Sequence, residues 1–148
     1  SSQNYLIKRV IGVPGDHVTC CTTDGKLSVN GVALDETAYL FTGPDGEQVR
    51  PSDVDFNVVV PEGKIFVMGD HRNESADSRC HLDVESNGVM GAMAFVSESS
   101  VVGTTVATVF PFDRLSLHPR PATFKAVPVA TGTPPAKPVI NGQPPPAC

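Results

Sequence analysis

The sequence predicts an all-β domain of antiparallel hairpins followed by a proline-rich tail, on three observations. Thirteen glycines and 14 prolines punctuate the chain with turns. Apolar residues come in short, β-branched runs, with no long stretch of helical period. The pair Asn30-Gly31, set between apolar segments, is the strongest short-range hairpin signal a sequence carries. At 148 residues the chain can bury one sizeable core. It has no initiator methionine and opens on Ser1-Ser2, which reads as a piece of a longer polypeptide.

Residues 5–13 are apolar apart from Lys8 and Arg9 and end at Val13-Pro14-Gly15-Asp16, a strand running into a tight turn. A second strand over residues 18–22 breaks at Asp24-Gly25. Residues 26–29 and 32–34 flank Asn30-Gly31, so 18–34 reads as an antiparallel meander. Residues 35–60 carry the turn Gly43-Pro44-Asp45-Gly46 and apolar alternation at 56–60, which fits an excursion or small β insertion. After Pro61-Glu62-Gly63 comes a short strand of buried type, 64–68. Residues 69–79 are polar and charged. Residues 89–95 and 101–110 read as strands, and Pro111 to Leu115 closes a domain spanning 1–118. The tail, 119–148, has too little apolar surface to offset chain ordering and reads as disordered or polyproline-like.

The net charge of -5 is spread over short clusters without a basic stripe, which argues against nucleic acid as a partner. No window approaches the ~18 apolar residues of a membrane span, so any anchor would lie upstream of Ser1. The four histidines, His17, His71, His81 and His118, lack metal-site spacing, and no metal or organic cofactor is expected. The cysteines Cys20, Cys21, Cys80 and Cys148 do not match a zinc pattern either. One bridge from the Cys20/Cys21 pair to Cys80 in an oxidising compartment is the favoured reading, and buried free thiols are the other. Cys148, at the end of the tail, is left unpaired.

Two segments carry chemistry. In the first, Lys8 sits within an apolar strand with Leu6 and Val10 on its own face. Desolvation disfavours an ammonium and would lower its pKa from ~10.4. Bringing it near neutrality costs about 4 kcal/mol and yields an amine suited to general-base work. The competing reading is a lysine that snorkels from an edge strand. In the second segment, Asp70, Arg72, Glu74, Asp77 and Arg79 alternate with Ser75 and Ser78. That density suits a rigid hydrogen-bonded loop, against the plain alternative of a solvated one.

Together the segments resemble the bacterial type I signal peptidases. The family's lysine box, Lys-Arg-apolar-apolar-Gly-apolar-Pro-Gly-Asp, is met by residues 8–16. Its later box, Gly-Asp-Asn-Arg-x-x-Ser-x-Asp-Ser-Arg, is met by residues 69–79, with His71 where the family has Asn. The resemblance covers roughly residues 5–115 and implies a signal-peptidase-like β fold and a serine endopeptidase with a Ser-Lys dyad. It makes Lys8 the general base and Ser75 the hydroxyl that orients it. It gives Gly69 the task of leaving room, and Asp70, Arg72, Asp77 and Arg79 structural support. Leu6 and Ile7 would help line shallow pockets for the small residues of a signal peptide bound as an added strand. The implied location is the cell membrane, with the catalytic domain on the extracytoplasmic side.

The family's Ser-Met-x-Pro nucleophile box has no counterpart here, and neither Ser1 nor Ser2 replaces it. The chain alone is therefore expected to be inactive. Two other readings use the same residues: a repressor-type self-cleaving Ser-Lys peptidase, and a non-catalytic extracytoplasmic β module that binds peptides or partners.

Overall fold

A computed structural model describes residues 4–146 and 148; Ser1 and Ser2, set aside above as nucleophiles, lie outside the described residues. Regular structure consists of antiparallel strands and single 3₁₀ turns, which establishes the all-β class. The strands are β1 (Arg9–Gly12), β2 (His17–Cys20), β3 (Ser28–Val29), β4 (Val32–Ala33), β5 (Phe56–Val59), β6 (Lys64–Met68), β7 (Glu85–Ser86), β8 (Val89–Met90), β9 (Val96–Ser97), β10 (Ala107–Thr108), β11 (Ser116–Leu117) and β12 (Val139–Ile140).

Five strands form one sheet in the order β12-β5-β2-β3-β4 and three form another, β1-β6-β9. The turn between β3 and β4 takes positive φ at both Asn30 and Gly31, as a hairpin of primed type requires. Asn30 also anchors the Pro14-Gly15 turn. Its side-chain oxygen accepts from the His17 N–H, and its amide donates to Asp16 at 2.7 Å. Alternate residues of β2 and β5 (Val18, Cys20, Phe56 and Val58) point into a core shared with Leu27, Leu34, Phe66, Met68 and Leu82. Phe66 packs between Phe56 and Phe95 with ring centroids 5.3 and 5.6 Å away. Each such buried side chain contributes roughly 1.5–3 kcal/mol.

The register of β1 on β6 places the chemistry. Arg9 faces Met68 and Val10 faces Val67, so the residue before Arg9 meets the residue after Met68. Antiparallel pairing thereby sets Lys8 beside Gly69, at the mouth of the polar loop.

Four expectations change. The strand expected over 5–13 begins only at Arg9, and residues 4–8 are irregular. The strand expected at 89–95 shrinks to β8, because Gly91 in the left-handed region turns the chain into the 3₁₀ turn Ala92–Ala94. The strand expected at 101–110 reduces to β10, paired only with β11 among the described residues, and Phe110, Phe112 and Leu117 are exposed. Its β-branched residues lack a facing sheet to bury against.

The tail is the fourth. β12 pairs with the edge of β5, Phe124 and Val127 pack on the core, and Glu62 N–H donates to Pro135 O. Proline lowers the entropy lost on ordering, so backbone pairing and a few apolar contacts suffice. The cysteine reading changes with it: Cys20 bridges Cys21, and Cys80 bridges Cys148 with Cα atoms 4.7 Å apart. Cys20 ends a strand of the five-stranded sheet, whereas Cys80 follows the loop after β6, and the tail delivers Cys148 to it.

The Cys80–Cys148 bridge closes a loop of sequence separation 68. On chain-entropy grounds such a crosslink contributes about 4 kcal/mol. Cys148→Ser is expected to lower the urea midpoint accordingly and to expose the tail to limited proteolysis; an unchanged midpoint would show that the tail is held without it.

Candidate active site

The loop after β6 is built by its own side chains. A 3₁₀ turn at Arg72–Glu74 and another at Ser78–His81 bracket Ser75, whose backbone is extended. Asp77 caps the second turn by accepting from the Arg79 N–H, and it also accepts from the Gly69 N–H at 3.0 Å. The Ser78 hydroxyl accepts from the Val67 N–H, fastening the loop to β6. The Arg79 guanidinium grips both Asp77 oxygens at 2.9 and 2.8 Å and reaches the Arg72 carbonyl at 2.7 Å. Burial of unpaired backbone and charge is costly, so these bonds leave the loop few alternative shapes.

The folded loop presents the Ser75 hydroxyl to Lys8, whose Nζ donates to Oγ at 2.7 Å across 67 residues of sequence. Gly69 lies under this contact. A Cβ built on it would sit 2.6 Å from Ser75 Cβ, closer still to Oγ, and 3.6 Å from Lys8 Nζ. The space that glycine keeps open therefore belongs chiefly to Ser75, and to the lysine second. Arg9, next to Lys8, makes a bidentate pair with Asp70, both bonds 2.7 Å, and lies over the Tyr39 ring at 3.9 Å. His71, the departure from the family box, stacks on Phe41 with centroids 3.8 Å apart.

The apolar enclosure expected around Lys8 is not formed by its strand neighbours. Leu6 is 81% exposed, Ile7 79% and Val10 42%, while Lys8 itself is half-buried. The physical reason is that β1 is the edge of its sheet, and residues 6 and 7 project beyond it.

Sequence reasoning missed Glu36 and Tyr39. Glu36 is buried and takes both NH groups of Arg72, one at 3.0 Å, while the Tyr39 hydroxyl donates to it at 2.9 Å. The signal in the sequence was slight: an acid and a tyrosine between the buried Leu34 and Leu40, in a segment without periodicity. Among the described residues, Cys20, Cys21 and Asp55 bring three ligand-type atoms within 4.8 Å of one another, but both sulfurs are taken up in their shared bridge.

Burial alone would push the Asp77 carboxyl up. Hydrogen bonds and charge from Arg79, then the Gly69 N–H and the Ser75 hydroxyl, outweigh it and hold the group below the ordinary carboxylate value. A carboxylate with a depressed folded pKa adds stability above its unfolded value, about 4, and that stability is lost as pH falls toward the folded one. Thermal stability is accordingly expected to fall below about pH 4. Asp77→Asn should be less stable at neutral pH and lack that component of acid sensitivity; parallel curves for the two proteins from pH 2 to 6 would exclude it.

Residues 1–110 match the family model described as signal peptidase, peptidase S26. The chain is 36% identical over 113 residues to the signal peptidase I of Bacillus licheniformis, covering 75% of this chain and 54% of that protein. It is 35% identical over 117 residues to signal peptidase I T of Bacillus subtilis, covering 78% and 54%. With the probable signal peptidase I of Mycobacterium leprae it shares 35% over 130 residues, covering 76% and 42%. The chain thus spans about half the length of the curated relatives it matches. With a family model matched over most of its length, and relatives of this similarity across three quarters of it, the chain belongs to the signal peptidase family, peptidase S26.

Proposed function

We propose that this chain is the base-bearing part of a serine endopeptidase that removes signal peptides from exported proteins, with Lys8 as general base and the nucleophilic serine on a segment outside these 148 residues. The observation that carries the reading is the Lys8 Nζ to Ser75 Oγ hydrogen bond at 2.7 Å. An amine that has donated one N–H to a fixed hydroxyl has its remaining directions constrained. In the neutral form its lone pair is then aimed, ready to take the proton of an attacking serine. A hydroxyl suits this task better than a carboxylate, which would favour the charged ammonium. Asp77 accepts hydrogen bonds only, and its pull on the Ser75 proton leaves the Ser75 oxygen to accept from Lys8.

An open sheet edge supports an extended peptide as substrate. β1 is an edge strand, and the exposed Leu6 and Ile7 lie just before Lys8. A signal peptide added alongside would bond through its backbone and offer alternate side chains to shallow pockets. The same peptide would cover Leu6 and Ile7 and desolvate the lysine. Two disulfides support an oxidising, extracytoplasmic setting. No helix among the described residues is long and apolar enough to cross a membrane; the membrane anchor is proposed to lie outside this chain too, along with the serine.

In the full-length protein, Lys8→Met is expected to abolish cleavage of a signal-peptide substrate with the thermal transition kept. Ser75→Ala should lower turnover by about 10²–10⁴-fold, the range of general-base arrangements. The 148-residue chain alone should not cleave. Near-normal turnover in Lys8→Met would remove the lysine from the mechanism.

A further inference from the structure

The two halves of the Lys8–Ser75 contact are each flanked by an arginine, and both arginines converge on one short turn. Arg9 follows Lys8 directly, and its guanidinium lies 3.9 Å over the Tyr39 ring. Arg72 stands three residues before Ser75, and its guanidinium is clamped by the Glu36 carboxylate with both side chains inaccessible to solvent. The Tyr39 hydroxyl donates to Glu36 at 2.9 Å and so joins the two supports. The turn is also fastened to the loop directly, because the Phe41 N–H donates to the Asp70 carbonyl at 3.1 Å.

We propose that Glu36 and Tyr39 are positioning residues that act as one bracket, fixing the distance between the Lys8 side and the Ser75 side of the site. The inference rests on the reading of Lys8 as general base. Its physical content lies in what else could hold Arg72. The other acceptors of that guanidinium are the carbonyls of Gly69 and Pro51, at 2.9 and 2.7 Å. Neither carries charge, so with Glu36 neutralised a buried cation would be left uncompensated and would pull the loop toward water. Ser75 would move with it. On the other side, Arg9 is already paired with Asp70 and needs no second anion. The Tyr39 ring instead supplies a flat face that sets the guanidinium's height and therefore the course of the chain at Lys8. Burial, then the neighbouring Glu36 charge, raise the Tyr39 pKa far above the ordinary phenol value. The hydroxyl therefore stays a donor throughout the working range. A displacement of about 1 Å between reacting groups is worth about 10²-fold in rate, so a bracket remote from the reacting atoms can still govern turnover.

The test uses the full-length protein and a fluorogenic peptide spanning a signal-peptide cleavage site, with alanine at the first and third positions before the cut. Glu36→Gln keeps the shape and removes the charge; Tyr39→Phe keeps the ring and removes only the tie to Glu36. Both are normalised to the folded fraction by circular dichroism. The inference expects kcat to fall about 10- to 100-fold in Glu36→Gln and threefold or more in Tyr39→Phe, with KM within twofold of the parent. Should Glu36→Gln fail to fold, Tyr39→Phe decides alone. A kcat per folded molecule within threefold in Tyr39→Phe, whatever happens to its melting temperature, reduces the pair to ordinary structural support and overturns the proposal. So does a loss carried by KM, which would mark a substrate contact. Lys8→Met in the same assay separates the two levels. If it is inactive while the parent cleaves, only the bracket is being judged; if it cleaves, or the parent does not, the general-base reading falls and takes the bracket with it.

Discussion

The interaction on which the rest of the site depends is the closure of the 69–79 loop on itself by Arg79 and Asp77. One carboxylate caps a 3₁₀ turn, accepts from the first N–H of the loop and receives two guanidinium bonds, while the same arginine ties back to the carbonyl of Arg72. Every member is buried. Buried ion pairs of this kind add little net stability relative to an apolar substitute, because desolvating the charges offsets their attraction. What they supply is a steep penalty on any other arrangement. A loop rich in charge becomes rigid because leaving its one good geometry strands a charge or a backbone donor in a dry place.

Charge matching extends this logic outward. Arg9 with Asp70, Arg72 with Glu36 and Arg79 with Asp77 pair three cations with three anions around the lysine. None of those three carboxylates is given over to the Lys8 amine, and the group presented to it is the Ser75 hydroxyl. The two boxes are thus coupled electrically as well as sterically: Arg9 belongs to the lysine segment and Asp70 to the loop. Antiparallel pairing of β1 with β6 brings them to the same height before either side chain acts.

What the sequence made legible is what local chemistry determines. Asn30-Gly31 specifies its hairpin because few residue pairs tolerate two consecutive positive φ values. The Lys8 and Gly69 segments were legible as a pair because each contains a dense, ordered set of residue types. Partners set by long-range geometry were not legible. Glu36 looks like any surface acid until the chain folds and a guanidinium from residue 72 arrives. By composition the tail, poor in apolar side chains, reads as disordered or polyproline-like, yet it is held through backbone bonds to β5 and Glu62 and through Cys148. Composition counts side chains and misses an open sheet edge. The run 101–110 failed in the opposite way: its β-branched residues have strand character, but a strand needs a neighbour, and among the described residues only β11 pairs with it.

The division between what is built and what is left open gives the fold its functional sense. The Lys8–Ser75 contact is assembled from β1, β6, the loop and the turn at residues 36–41, all within this chain, on a core that does not involve the exposed residues 5–7. Its geometry is therefore set before any peptide or further segment approaches, which is the condition for an amine to act at a defined position without reorganising during the reaction. Lys8 is half-buried, and the residues beside it at the sheet edge, Leu6, Ile7 and Val10, stay exposed. On the proposed function, both the nucleophile and the substrate must enter there, and the water they displace is the desolvation that the strand neighbours of Lys8 do not provide. On that reading the loop would orient the base, and its dry surroundings would come from whatever binds beside it.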